Sequence, residues 1–416
     1  MKNDNAYILS YMAMAFAILE KPLSLIFGLK GAYIIAISFM FMVIIGNIND
    51  VRLKKVLKSP PVVIWMIWVV YSISNWYLGP KYNLEMSDPL YVAKRQLMPI
   101  GMMIIVSFEG MRNTNRTIWA MMIITITYVM IGLLFQQSVS KIEDREGTML
   151  GNEVALTACV LGFFSFIASA RSMIKDYFLI VILVIVMIGI FFLSTRKALG
   201  GIAIIAFFYL IGRYDIKKPR YILTLVVIGI FAYWSFGYIM ENTMMGERLS
   251  NVSEAAYLRG AKENDILLRI VGDRAGSYIW GWSIFLQNPI TGIGLTNYPS
   301  YTMTGVPLHT EYIAELCENG IIGTILYVCF NLSIIMMIVK SRMTKYKYRN
   351  VRYVCLGGMA CILFISLTAW TYAFPRYFSI FGIIIAIYYP KMLGLKGNLR
   401  KIKNESHNSG RLLSSR

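Results

Sequence analysis

The sequence predicts an all-α polytopic membrane protein with about twelve transmembrane helices, and three observations carry that reading. Hydrophobic residues make up 57% of the 416-residue chain and charged residues only 15%. A soluble domain has roughly 25% charged residues. Apolar stretches of about 15 to 22 residues recur from end to end, close to the ~20 a helix needs to cross the hydrocarbon core. The basic residues, finally, fall unevenly between alternate loops.

Taken in order, the stretches lie near 6–27, 31–46, 61–78, 97–108, 117–137, 152–170, 177–193, 200–212, 221–239, 320–339, 353–371 and 377–390. The first lacks a basic n-region and a small-residue cleavage site, so it reads as a retained helix rather than a signal peptide. The stretch 97–108 is short, and the first span ends in Glu20-Lys21-Pro22, which leaves that pair open to being shifted or re-entrant. Residues 1–239 thus hold nine helices, 240–319 one long loop and 320–390 three more helices, while 391–416 read as a disordered basic cytoplasmic tail.

A net charge of +19 could suggest nucleic acid, so its distribution decides the matter. With the N-terminus inside, the inner segments hold 26 of the 41 Lys and Arg but only 6 of the 22 acids. That asymmetry is the positive-inside rule, carried by Arg52 to Lys55, Arg213 to Arg220 and Lys340 to Arg352. It places both termini in the cytoplasm and orients the chain against an anionic leaflet, with no need of nucleic acid. The five Cys have no metal-ligand spacing and read as small core residues.

The long segment 240–319 then faces outward, and a long loop in a compact protein is usually functional. Within it, Asp265 to Leu286 predicts an amphipathic helix that ends at Asn288-Pro289, with Leu267, Ile270, Val271, Tyr278 and Trp282 at 3–4 residue spacing. It could simply lie on the membrane surface, or it could also form part of a site. After the turn at Gly292-Ile293-Gly294, Pro307 opens a second helix from about Leu308 into the next span.

His309 falls in the first turn expected for that second helix. An imidazole with an unperturbed pKa of about 6.5 can take a proton from a hydroxyl near neutrality. A lone His is more often structural, but no clustered ligands accompany it, so general base is a better functional role than metal ligand. Ser194-Thr195-Arg196-Lys197 sets two cations at a tight outer turn, where they either cap helices or face a polar cavity. Arg274 lies in the amphipathic segment, Arg145 in the outer loop before Gly151-Asn152, and Arg376 at the last outer turn. Arginine suits phosphate through its paired donors. Several Arg and one His on the outer face suit a lipid-linked pyrophosphate whose head group is transferred to a hydroxyl.

At these residues the chain resembles the O-antigen ligase and polysaccharide polymerase family. The resemblance rests on Asp273-Arg274, Trp280, Asn288-Pro289, Gly292-Ile293-Gly294, and the run from His309 through Glu318-Asn319-Gly320 to Gly323. Upstream, Ser194-Thr195-Arg196 and Arg145 to Asn152 resemble two further family segments. Thr310 stands where members often carry Asn, and Lys197-Ala198 replaces the usual small residue after Arg. The resemblance implies a GT-C-like, metal-independent inverting glycosyltransferase that needs no cofactor. Its donor would be an undecaprenyl-pyrophosphate-linked glycan. His309 would be the general base, with Arg196 and Arg274 on the pyrophosphate. Arg145, Asn152, Lys197, Glu311, Tyr312 and Arg376 would contact substrate. The acceptor hydroxyl could belong to another repeat unit (a polymerase), to lipid A-core (a ligase) or to a protein. A lipid-linked-sugar flippase and a non-catalytic assembly subunit are the readings outside the enzyme class.

Overall fold

The computed structural model describes residues 4–78, 89–139, 145–192, 196–214, 275–301, 308, 310–341 and 346–392. The described chain is helical without strands: α1 (Asp4–Ile18), α2 (Glu20–Gly46), α3 (Val51–Leu57), α4 (Pro60–Leu78), α5 (Pro89–Val139), α6 (Arg145–Ala170), α7 (Asp176–Phe192), α8 (Arg196–Arg213), α9 (Ala275–Gln287), α10 (Tyr298–Tyr301), α11 (Glu311–Lys340), α12 (Tyr346–Ser366) and α13 (375–392). Helices fit because a spanning segment must satisfy every backbone N–H and C=O internally, and local i→i−4 bonding does that within one segment.

Four helical stretches are long and apolar enough to cross a membrane: Pro60–Leu78, Pro89–Leu134, Glu153–Ala170 and Glu311–Lys340. A fifth is added if the bent pair Lys30–Gly46 and Val51–Leu57 counts as one span. The protein is therefore an all-helical polytopic membrane protein. The expected span at 221–239 lies outside the described residues, as do 393–416.

Long-range polar contacts fix how the helices run. Ser10 Oγ donates to Glu109 (2.8 Å) and Arg112 lies 4.0 Å over the Tyr7 ring, while Lys94 Nζ stands 3.0 Å from Glu20. The first part of α5 thus runs opposite to α1. A straight helix of 51 residues would be about 75 Å long, far more than a bilayer. It breaks instead at Asn113 (φ −153, ψ 94), and by Tyr128 the chain has returned, since that hydroxyl donates to Glu153, an ion-pair partner of Lys21. The expected helices 97–108 and 117–137 are the two arms of this turn. The molecule accordingly has a Lys94 end and an Asn113 end. Arg171 donates to Asn115, and Asp176 pairs with Arg213, so α6 finishes, α7 starts and α8 finishes at the Asn113 end.

Several expected boundaries move. The first helix stops at Ile18, and α2 runs from Glu20 with a break at Gly28 (φ +71), so Glu20-Lys21-Pro22 starts a helical segment rather than ending one. Proline is tolerated there because a first-turn N–H has no intrahelical partner. α12 ends at Ser366, not 371. Residues 367–374 turn inward: Tyr372 is buried among Trp65, Tyr327, Phe330 and Phe378, and its hydroxyl donates to Asn331 (2.6 Å). The helix expected from Leu308 begins at Glu311 and breaks at Gly320, so the first turn that was to hold His309 starts two residues after it.

Candidate active site

The outer segment of α11, Glu311–Asn319, positions the site. Glu311, Glu315 and Glu318 recur at helical spacing, and all three are buried. Each is fastened to a different element. Glu311 accepts from the Thr371 backbone N–H (2.9 Å). Glu315 accepts from Trp68 Nε1 of α4 (2.6 Å) and from Asn319 Nδ2 (3.2 Å). Glu318 faces Arg95 of α5 at 3.5 Å. Thr310, next in the chain after His309, is also buried, with its hydroxyl 3.5 Å from the Ser366 carbonyl.

Two glycine-bearing motifs lock this segment in place. The N–H groups of Ile293 and Gly294 donate to the carbonyls of Cys317 and Glu318 (both 2.9 Å), and Ile321 N–H donates to Pro289 O (2.9 Å). Asn75 Nδ2 bridges the Thr291 and Glu318 carbonyls (2.7 and 3.0 Å). The approach leaves no room for a side chain: a Cβ on Gly320 would stand 2.3 Å from Ile290 O, and one on Gly292 2.5 Å from the Glu318 carbonyl carbon. Both glycines also have positive φ, a region costly to any residue with a Cβ. The Pro-x-x-Gly-x-Gly turn and the Glu-x-Gly-x-x-Gly helix are therefore two halves of one backbone contact.

Around this segment, at the Lys94 end, lies a buried layer of charge. Lys94 pairs with Glu20 and lies over the rings of Tyr33 and Phe374 (5.1 and 5.3 Å). Arg376 shares the Phe374 ring at 4.4 Å, stands 3.7 Å from Glu153 and donates to Thr157 (3.3 Å). Lys21 reaches the same Glu153 at 3.7 Å. Arg95 stacks 4.2 Å from the Trp370 ring centroid. The inward-turning residues 367–374 thus offer an aromatic ring to Lys94, Arg95 and Arg376. Burying ions costs several kcal/mol each, and stripping one partner from such a pair costs about 3–5 kcal/mol.

The residues expected from sequence divide into three groups. Glu311 and Arg376 lie in the layer. Tyr312 is half-buried and donates to the Leu363 carbonyl (2.8 Å), a contact that packs α11 on α12. Lys197 is half-buried in the first turn of α8; Cys159 Sγ lies 3.0 Å from the carbonyl of the next residue, Ala198, which sets this turn beside α6 near Thr157. His309 and Arg274 lie outside the described residues, as do the side chains of Arg145, Asn152 and Arg196, whose backbones begin α6 and α8. Sequence reasoning missed Glu20, Lys21, Lys94, Arg95, Glu153, Glu315 and Glu318. Lys94-Arg95 carries the same adjacent-cation signal as Arg196-Lys197 and could have been found by it.

Of the helix expected at Asp265–Leu286, α9 supplies the described part. Its Ile284 is buried, and Gly281 lies against Leu308 and Ile313. Ile279, Trp280, Trp282 and Leu286 are exposed, as a helix at a membrane surface would have them.

Fold and site together define a multi-pass membrane protein with a fixed, charge-lined layer at one end of its helices. Residues 179–328 match the family model described as O-antigen ligase, and that match supports the O-antigen ligase/polymerase family for this part of the chain. The matched stretch contains Arg196, Arg274, His309 and all three glutamates of α11; Lys94, Arg95 and Arg376 stand outside it. No curated protein matches the chain.

Proposed function

We propose that the protein is a GT-C-like, metal-independent inverting glycosyltransferase of the bacterial cytoplasmic membrane. It moves a glycan from undecaprenyl pyrophosphate to a hydroxyl acceptor on the outer face. One observation carries this reading: the O-antigen ligase match covers His309 and the segment that follows it, and that segment is anchored in the charged layer holding Arg376. The Asn113 end bears Arg52, Lys54, Lys55, Lys58, Arg112, Arg116 and Arg171, and by the positive-inside rule that supports the reading in which this end and both termini are cytoplasmic and the Lys94 end faces outward.

In the reaction, His309 takes the proton of the acceptor hydroxyl as its oxygen attacks the anomeric carbon. The bond from that carbon to the pyrophosphate oxygen breaks, and the electron pair leaves with undecaprenyl pyrophosphate. Arg196 and Arg274 stabilise that charge, with Arg145, Lys197 and Arg376 as further cations. Asn152, Glu311 and Tyr312 complete the substrate contacts.

Polymerisation is the first reading of the acceptor, because donor and acceptor are then the same kind of lipid-linked repeat unit. Ligation to lipid A-core is the second, favoured by the description of the matching family. A lipid-linked-sugar flippase would want charge spread through the membrane depth, whereas the ion pairs here gather towards the two ends.

The deciding experiment is His309→Gln in purified protein with a lipid-linked donor, scored for both product and donor binding. Lost turnover with retained donor binding is expected. Turnover near the parent rate removes His309 as the base. Oligomers of the repeat unit identify a polymerase, and glycosylated core a ligase. Translocation without any bond transfer identifies a flippase.

A further inference from the structure

The two buried arginines of the layer leave different atoms unfilled. Among the described residues, Arg376 Nε and Nη2 find no acceptor, so donors alone are left over. That suits an oxyanion, as proposed above. Around Arg95 the leftover atoms are mixed. Arg95 Nη1 and Trp370 Nε1 are donors without acceptors, while Glu318 Oε1 and Asn319 Oδ1 are acceptors without donors. All four residues belong to one group: Arg95 stacks on Trp370 and faces Glu318, and Asn319 follows Glu318 in the same turn of α11.

Buried polar atoms are nearly always satisfied, and each one left open is costly. Four open atoms on neighbouring residues point to something that fills them. An added anion finds no surplus of positive charge at this group, since Arg95 already faces the Glu318 carboxylate at 3.5 Å. A group that both donates and accepts fits instead. Sugar hydroxyls do both, and planar polar side chains beside an indole are suited to them.

We propose that Arg95, Trp370, Glu318 and Asn319 form a subsite for ring hydroxyls of the substrate glycan. The inference rests on the transferase reading and deepens it: these residues, rather than the phosphate cations, read the sugar. The sugar can belong to the donor or to the acceptor, and the two are separable.

Two conservative variants test it. Trp370→Phe keeps a ring beneath Arg95 and removes only an N–H that finds no acceptor among the described residues. Arg95→Lys keeps a charge for Glu318 and removes the open donor. Protein in nanodiscs is titrated with its glycan-bearing undecaprenyl pyrophosphate and with the same lipid lacking its glycan, and the acceptor KM is measured in turnover. Each variant should weaken one sugar-bearing substrate about tenfold, the effect of one hydrogen bond, and leave the bare lipid pyrophosphate unchanged. A loss confined to the glycan-bearing lipid assigns the sugar to the donor; a rise confined to the acceptor KM assigns it to the acceptor. Parent affinities for both sugar-bearing substrates overturn the subsite, as does equal weakening of the bare lipid. If the unaltered protein binds neither lipid, the transferase reading fails and the subsite falls with it. If it binds both and only the variants are indifferent, the subsite alone fails.

Discussion

The two ends of the helix bundle handle charge in opposite ways. At the Asn113 end, Asp176–Arg213 is a close pair (2.6 Å) with its carboxylate 62% exposed, and the buried pair Glu109–Arg112 joins residues three apart on one helix. At the Lys94 end, buried pairs join α2 to α5, α5 to α11 and α6 to α13, and the part-exposed Lys21 of α2 also reaches Glu153 of α6. Exposed or local pairs ask little of the fold and return little, typically under about 1 kcal/mol. Long-range buried pairs are expensive to assemble, and apolar residues of similar volume often do as well for stability. Among the described residues such pairs gather at one end, which marks that end as the one with a use for charge.

The strongest way to sharpen the contrast is through the proposed base. His309→Ala should cost about 10²–10⁴ in rate, the usual contribution of positioned proton transfer. Donor binding should change little, because cations and not imidazole hold the pyrophosphate. The parent rate should also fall as pH drops below the usual histidine pKa of about 6.5, since a protonated imidazole accepts no proton. Single-turnover rates across pH check both statements, and a flat profile with rate retained in the variant breaks the assignment.

Next comes the buried layer itself. Glu318→Ala strands Arg95 and should lower stability by about 3–5 kcal/mol, read as thermal inactivation of detergent-solubilised protein. Slightly smaller is the effect expected on chemistry at the phosphate cations. Arg196→Ala or Arg274→Ala should each slow transfer roughly a hundredfold, one charge-assisted contact of about 3 kcal/mol, with only partial rescue by Lys. Near-normal product from either variant counts against the phosphate role. Least of all, Asp176→Asn at the opposite end should shift stability by no more than about 1 kcal/mol, because its partner stays solvated. Equal damage from Asp176→Asn and Glu318→Ala would erase the difference between the ends.

Much of this was legible in the sequence. Hydropathy identified the membrane class, and the turn at Asn113 falls between two stretches that read as separate helices. The order of the motifs from Ser194 to Gly323 pointed to the family that the domain match then bore out. The charged layer was not legible, for a physical reason. Its pairs join positions such as 20 with 94, 95 with 318 and 153 with 376, and a single sequence carries no record of which distant charges meet. A cation near a helix end also reads by default as snorkelling to the interface. The inward turn of 367–374 was hidden because its aromatic residues are as apolar as a span, so hydropathy extended the preceding helix over them.

The break at Gly320 separates two mechanical duties within α11. Below it, Ile321–Lys340 is the part that must follow the bilayer, tilting as hydrocarbon thickness varies. Above it, Glu311–Asn319 is tied through three carboxylates and a backbone clasp to the rest of the molecule. A continuous helix would carry each tilt straight into the site as a lever. With the helix broken at Gly320 and the Ile321 N–H held by Pro289 O, a lean of the span meets the clasp before it reaches Glu311–Asn319.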